Sequence, residues 1–338
     1  MPNALAYLVL AAWPLVCVML FIRLSPARAL IWSLLGAYLL LPPLPTAFDF
    51  PLFPPLSKHT LPNLTVFLIV LLLLPKRVPI LPDNPLARGL ALIFILAPIP
   101  TVLTNPEPLI FVQTGLPGLR WTDAIALPIN QTILLLGFLM ARPLLAERAA
   151  QRDLLVALVI AGLVYSLPML LEVRLSPQMN LWVYGFYQHI FEQSVRGHGF
   201  RRLVFLFHGI WAAFFALTCV LAALALWRGA KVTAKGRYIG AACWMIGVLI
   251  LCKTLAPMIY LALAAPLILF AQPRLMIRVA ALMGLLAVSY PVLKGADLVP
   301  TGQILTTLES VAPERANSLA FRVENEDRLL ERARQKPL

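Results

Sequence analysis

Charge is scarce in this sequence. Only 13% of its 338 residues are Asp, Glu, Lys or Arg, and 60% are apolar, whereas soluble domains run at about 25% charged and 45–50% apolar. A soluble domain of this length needs far more charged surface, so that class is excluded. Disorder is excluded as well, because it requires low hydrophobicity. Cysteine is almost as scarce. Cys17, Cys219, Cys243 and Cys252 all lie in apolar runs without CxxC spacing, too few for a disulfide scaffold, and they read as small core residues. The chain has no Walker A sequence, no GxGxxG opening a helix after a strand, no HExxH and no GxSxG. ATP hydrolysis, dinucleotide redox chemistry and zinc proteolysis therefore have no visible apparatus. There is no internal repeat and no low-complexity tract.

Apolar runs fill the space those absences leave. They fall at 4–22, 29–47, 61–75, 86–104, 124–141, 154–171, 203–227, 238–252, 255–272 and 275–293. A membrane span needs about 20 apolar residues, so the expected fold is all-α, a polytopic integral membrane bundle of about ten transmembrane helices. The first run has neither a basic leader nor a small-residue cleavage site and reads as a retained span. The expected division is a transmembrane domain over 1–293, with a long outer loop at 172–202, and a polar segment over 294–338.

Basic residues set the orientation. Alternate loops carry Arg23 and Arg28; Lys76, Arg77 and Arg88; Arg142, Arg148 and Arg152; Arg228, Lys231, Lys235 and Arg237; Arg274 and Arg278. The opposite loops carry half as many: Lys58, Arg120, Arg174, Arg196, Arg201, Arg202 and Lys253. The first set is expected in the cytoplasm, so the net charge of +13 is topological and no nucleic-acid partner is implied. The opposite side holds the long polar segments, and function is expected there. Within the tail, 318–335 has the periodicity of a helix through Leu319, Arg322, Glu326, Leu329 and Leu330, with Asn317 or Ser318 as cap.

The candidate chemistry is cationic. Arg196, His198, Arg201 and Arg202 lie within seven residues. Arginine's planar fork suits phosphate oxygens, and Gly197 and Gly199 would let the backbone approach a ligand. A solvated loop meeting lipid headgroups is the other reading. Lys253 interrupts the apolar stretch 238–272; it is either a charge with a function at membrane depth or the mark of a short turn, CKTLAP. His208, in FLFHGIW, reads as a packing residue inside the next span or as an accessory to the arginines. The aromatic stretch WVYGFYQHIF, with His189, reads as an interfacial helix or as the lining of a sugar or lipid site. His59 is assigned no role. In the tail, Arg322 stands beside Glu324, Glu326 and Asp327, either a solvated helix face or carboxylates suited to glycosyl chemistry.

Three stretches carry a resemblance: SPQMNLWVYGFYQHIFEQSVRGHGFRRLVFLFHGIW, LCKTLAPMIYLALAAPLILF and RANSLAFRVENEDRLLERARQKPL. In their order and spacing the chain resembles the O-antigen ligase and exopolysaccharide polymerase superfamily of polytopic membrane proteins. The resemblance implies a glycosyltransferase-type enzyme of the bacterial inner membrane, acting at the periplasmic face. Its implied donor is a glycan on undecaprenyl diphosphate, and its acceptor a second glycan or lipid A core. It implies that Arg201, Arg202, Lys253 and Arg322 hold the diphosphate, with Arg196, His198 and His208 as accessories, and it calls for no metal and no cofactor. Arg202 stands where members of the superfamily commonly have proline. Members also continue past the position of Leu338 into a Gly/Trp-rich segment and closing spans, so the chain reads as ending inside a large periplasmic loop, with the general base expected beyond it. A flippase of lipid-linked oligosaccharide and a non-catalytic partner in polysaccharide assembly are the alternative readings.

Overall fold

The computed structural model describes residues 1–74, 78–110, 115–196, 199–311 and 313–335. The chain forms two compact units, Met1–Phe270 and Ala271–Leu338.

In the first unit, α1 (Ala4–Arg23) and α2 (Pro26–Leu40) are joined by two residues, with Pro26 opening α2, where its missing N–H costs nothing. A short hairpin, β1 (Phe48–Phe50) and β2 (Phe53–Leu56), leads into α3 (Leu61–Leu73). The helices α4 (Pro85–Leu96) and α5 (Pro98–Thr104) are one apolar stretch broken at Ala97, because Pro98 cannot donate to the preceding turn. A second hairpin, β3 (Leu109–Ile110) and β4 (Gly115–Leu116), precedes α6 (Asp123–Leu144) and α7 (Arg148–Leu175). Next come α8 (Met179–Tyr184), α9 (Phe191–Ser194) and a third hairpin, β5 (Val195–Arg196) with β6 (Gly199–Phe200). Three helices close the unit: α10 (Gly209–Gly229), α11 (Val232–Leu251) and α12 (Leu255–Phe270). The second unit holds α13 (Pro273–Gly295), α14 (Thr301–Val311) and α15 (Pro313–Gln335).

Among the described residues, seven helical stretches are long and apolar enough to cross a membrane: α1, α4–α5, α6, α7, α10, α11 and α13. The apolar helices α2, α3 and α12 are shorter. The chain is a multi-pass, mostly helical membrane protein, with three small hairpins among the described residues.

Several expected boundaries move. The run 29–47 stops being helical at Leu40, before a segment containing Pro42, Pro43 and Pro45, which lack N–H donors. The run 203–227 becomes helical only at Gly209. The aromatic stretch is not one helix: Gly185 ends α8 at φ +81°, a left-handed cap that glycine adopts without a Cβ clash. In the tail, α15 begins at Pro313, so Asn317 and Ser318 lie inside it and not at its start, and α14 was not anticipated.

The main core of the first unit surrounds α10, which packs on α7, α11 and α12. Its buried face is rich in small residues, Ala212, Ala213, Ala216, Ala222 and Ala223. Small residues let backbones approach closely where lipid offers no hydrophobic drive between helices. Gly162 of α7 shows how close: a Cβ there would lie 2.7 Å from the Cβ of Cys219. A second core joins α1, α2, α3 and α6 around Leu10, Leu41, Val66 and Met140.

Hydrogen bonds tie the loops into two sets. In one, Arg28 pairs with Asp153 at 2.7 Å, Arg142 donates to the carbonyls of Pro79 and Leu81, and Arg228 donates to that of Ile268. In the other, Asn3 donates to the carbonyls of Val183 and Tyr184, Tyr184 to that of Leu40, and Lys58 to that of Phe205. The second set belongs to the end that carries Arg201 and Arg202.

In the second unit α13 returns through α14 to α15. Lys294 pairs with Asp327 at 2.7 Å, and the Tyr290 hydroxyl donates to Glu326 at 2.9 Å.

Candidate anion site

The site is built on residues 199–208: Gly199 and Phe200 form β6, and residues 203–208, which the apolar pattern assigns to a span, fold irregularly. Irregular backbone at membrane depth is tolerated only where its polar groups find partners in protein, and here side chains supply them. Tyr165 and Glu172 are seven residues apart on α7, two turns, and so share a face. The Glu172 carboxylate is buried. One oxygen accepts from the N–H groups of Leu203 (2.8 Å) and Val204 (3.0 Å), and the other from that of Met179 (3.2 Å). The Tyr165 hydroxyl accepts from the N–H of Phe205 at 3.1 Å. Gln188 donates to the carbonyls of Val204 (2.9 Å) and Leu206 (3.2 Å). Lys58, also buried, donates to the carbonyl of Phe205 at 2.8 Å. Held in this way, Val204 adopts φ +51°, an outlier for a β-branched residue.

This backbone carries the two arginines. The N–H of Arg201 donates to the carbonyl of Ser194 at 2.7 Å. Close packing fixes its stem, since a Cβ on Gly209 would lie 2.7 Å from the Cβ of Arg201. The Arg202 side chain is 2% exposed, yet among the described residues its Nε and Nη1 have no hydrogen-bond partner. Burial pushes its pKa below the usual arginine range, an effect partly offset by Cys252 and Glu172. Two buried N–H donors without acceptors are costly unless an anion or water supplies them.

Lys253 does mark a turn. It lies between α11 and α12, exposed, at φ +53°. A Cβ on Gly199 would lie 2.6 Å from its Nζ, so a glycine at 199 leaves room for the ammonium. The structure therefore places Lys253 against Gly199, two and three residues before Arg201 and Arg202 in the chain.

His208 is not inside a helix but caps one. Its Nδ1 accepts from the N–H of Ile210 at 3.0 Å, which leaves the ring proton for Nε2. The His189 ring lies 4.7 Å from it, and the Nε2 of His189 is buried with no hydrogen-bond partner among the described residues. Of the remaining expected residues, the backbone of Arg196 pairs with Gly199 in the β5–β6 hairpin. His198 lies outside the described residues. Arg322 is exposed on α15, in the second unit.

Sequence reasoning passed over two contributors. Lys58 was counted only for topology. Its burial pushes its pKa down to about 7, and burial together with the Lys58 charge lowers that of His59 to about 4. His59 packs edge-on against Trp211, with ring centroids 6.0 Å apart. Glu172 was placed in a loop, because the apolar run ends at Leu171. A lone carboxylate following so long an apolar run was the available signal.

The arrangement can bind an oxyanion. Arg202 offers two guanidinium N–H donors without partners among the described residues, the Lys253 ammonium lies against Gly199, and the Glu172 carboxylate is engaged by backbone N–H groups. Among the described residues no group of three or more His, Cys, Asp or Glu is placed to hold a metal ion. No protein family, curated protein or solved structure matches this chain.

Proposed function

We propose that this protein transfers glycan from an undecaprenyl-diphosphate donor during polymerisation or ligation of a surface polysaccharide. Its seven long and three shorter apolar helices would make ten spans of the bacterial inner membrane, with the arginine-bearing end in the periplasm. The observation that carries the reading is Arg202, buried with two guanidinium N–H groups that have no partner among the described residues. A diphosphate leaving group is already activated, so such an enzyme needs chiefly positioning and charge stabilisation. Arg201, Arg202 and Lys253 would hold the diphosphate through charge-assisted hydrogen bonds.

The test is complementation in cells from which the gene has been deleted. The wild-type gene is expected to restore polymer, and genes carrying Arg201→Ala or Arg202→Ala are expected to leave it absent at equal protein levels. Normal polymer length and amount with both variants would overturn the assignment.

A further inference from the structure

We propose that Glu172, assisted by Tyr165, Gln188 and Lys58, is the positioning residue that keeps Arg202 available to an anion. The claim rests on the anion-binding reading above, and three observations carry it.

The first is how residues 203–206 are held. They are neither helix nor strand, yet Leu203, Val204 and Leu206 are fully buried. Six of their backbone N–H and C=O groups bind the side chains of Glu172, Tyr165, Gln188 and Lys58. The four side chains come from three separate parts of the chain: the loop before α3, helix α7 and the segment after α8. A buried polar network of this kind fixes one conformation when its members are satisfied.

The second is Val204 itself. A left-handed valine is strained and persists only where its surroundings over-determine it. The strained residue lies two positions after Arg202 and sets the direction in which the chain leaves it.

The third is the use made of the carboxylate. Glu172 lies near enough to Arg202 to act on its charge. A free carboxylate there would be drawn into a bidentate pair with the guanidinium. Instead its oxygens accept three backbone N–H bonds, and among the described residues no ion pair joins it to Arg202. The guanidinium keeps its open donors because the backbone occupies the acid.

Positioning and plain electrostatics predict opposite signs for Glu172→Gln. If Glu172 acted only as a nearby negative charge, its removal would tighten anion binding. If it positions the segment, the amide's NH2 meets a backbone N–H, the segment relaxes and binding weakens. Inorganic pyrophosphate binding to the full chain in detergent, followed by calorimetry, decides between them, with hydrogen exchange at residues 203–206 as the local readout. Wild type is expected to bind and Arg202→Ala to lose binding. Glu172→Gln is expected to weaken it roughly tenfold or more, with faster exchange confined to 203–206. Tyr165→Phe, which removes one hydroxyl, shifts both in the same direction by less, and it decides the matter if Glu172→Gln does not fold. Unchanged or tighter binding in either folded variant, together with faster exchange at 203–206, ends the positioning claim and leaves the anion site standing. Absence of binding by wild type, or undiminished binding by Arg202→Ala, ends the anion reading and this proposal with it.

Discussion

A single methyl group is enough to test the placement of Arg201. A Cβ at position 209 would lie 2.7 Å from the Cβ of Arg201 and 3.3 Å from the carbonyl of Arg202, so Gly209→Ala must move one arginine or the other. Pyrophosphate affinity measured by calorimetry should fall severalfold, while Gly229→Ala, which meets open space, should leave it unchanged. Lys58 gives a second test, through pH. With a pKa of about 7 in the fold against 10.5 normally, it binds fewer protons in the folded chain than in the unfolded chain between those values. Stability therefore rises with pH across that window. His59, at about 4 against 6.5, likewise makes stability fall as pH drops from 6.5 towards 4. The thermal midpoint of Lys58→Met should lose its rise between pH 7 and 10, and an unchanged slope would refute the assignment. At this scale the cations were legible, since Arg201, Arg202 and Lys253 stand out in apolar surroundings. Their partners were not. The acceptors for Lys58 and the donors for Glu172 are backbone groups that any residue carries, so nothing in residue identity announces them.

Among the elements, α7, α10 and α11 meet through small residues, and their contact has little slack. Gly162→Ala places a carbon 2.7 Å from Cys219 and should destabilise the fold by about 1–3 kcal/mol, the usual cost of overpacking. Thermal or denaturant unfolding in detergent measures this. Cys219→Gly should restore most of the loss, and a failure of that rescue would place the cost elsewhere. Apolar periodicity and length located these helices well, because long runs have few alternatives. It misjudged the entry to α10. Leu203, Val204, Phe205, Leu206 and Phe207 are apolar and read as the first turns of a span, yet the backbone of 203–206 binds side chains in place of a helical ladder. Hydropathy registers what a side chain avoids and is silent on where the backbone hydrogen bonds go.

For the whole molecule, the testable quantity is orientation. With the native cysteines replaced, Arg120→Cys should react with a membrane-impermeant maleimide in intact cells. Lys231→Cys should react only after permeabilisation. The reverse pattern would place the candidate anion site in the cytoplasm and remove a periplasmic donor from consideration. The charge count read from sequence anticipated the grouping of loops seen in the first unit, where Arg28, Arg142 and Arg228 are bound among one set and Lys58 among the other. That agreement has a physical basis, since a lysine or arginine is retained on one side whatever the fold does locally. The tail was less legible: α14 has a mixed sequence and packs against α15.

The tie between Asn3 and the carbonyls of Val183 and Tyr184 has a consequence for biosynthesis. The two partners are 180 residues apart, so the first helix emerges from the ribosome long before its anchor has been made. Until α8 follows, Asn3 serves α1 as its cap, accepting from the N–H of Ala6. Closure of that end therefore belongs to the later part of translation, and a bulky fusion placed ahead of Met1 would have to be accommodated beside the loop that leads to the arginines.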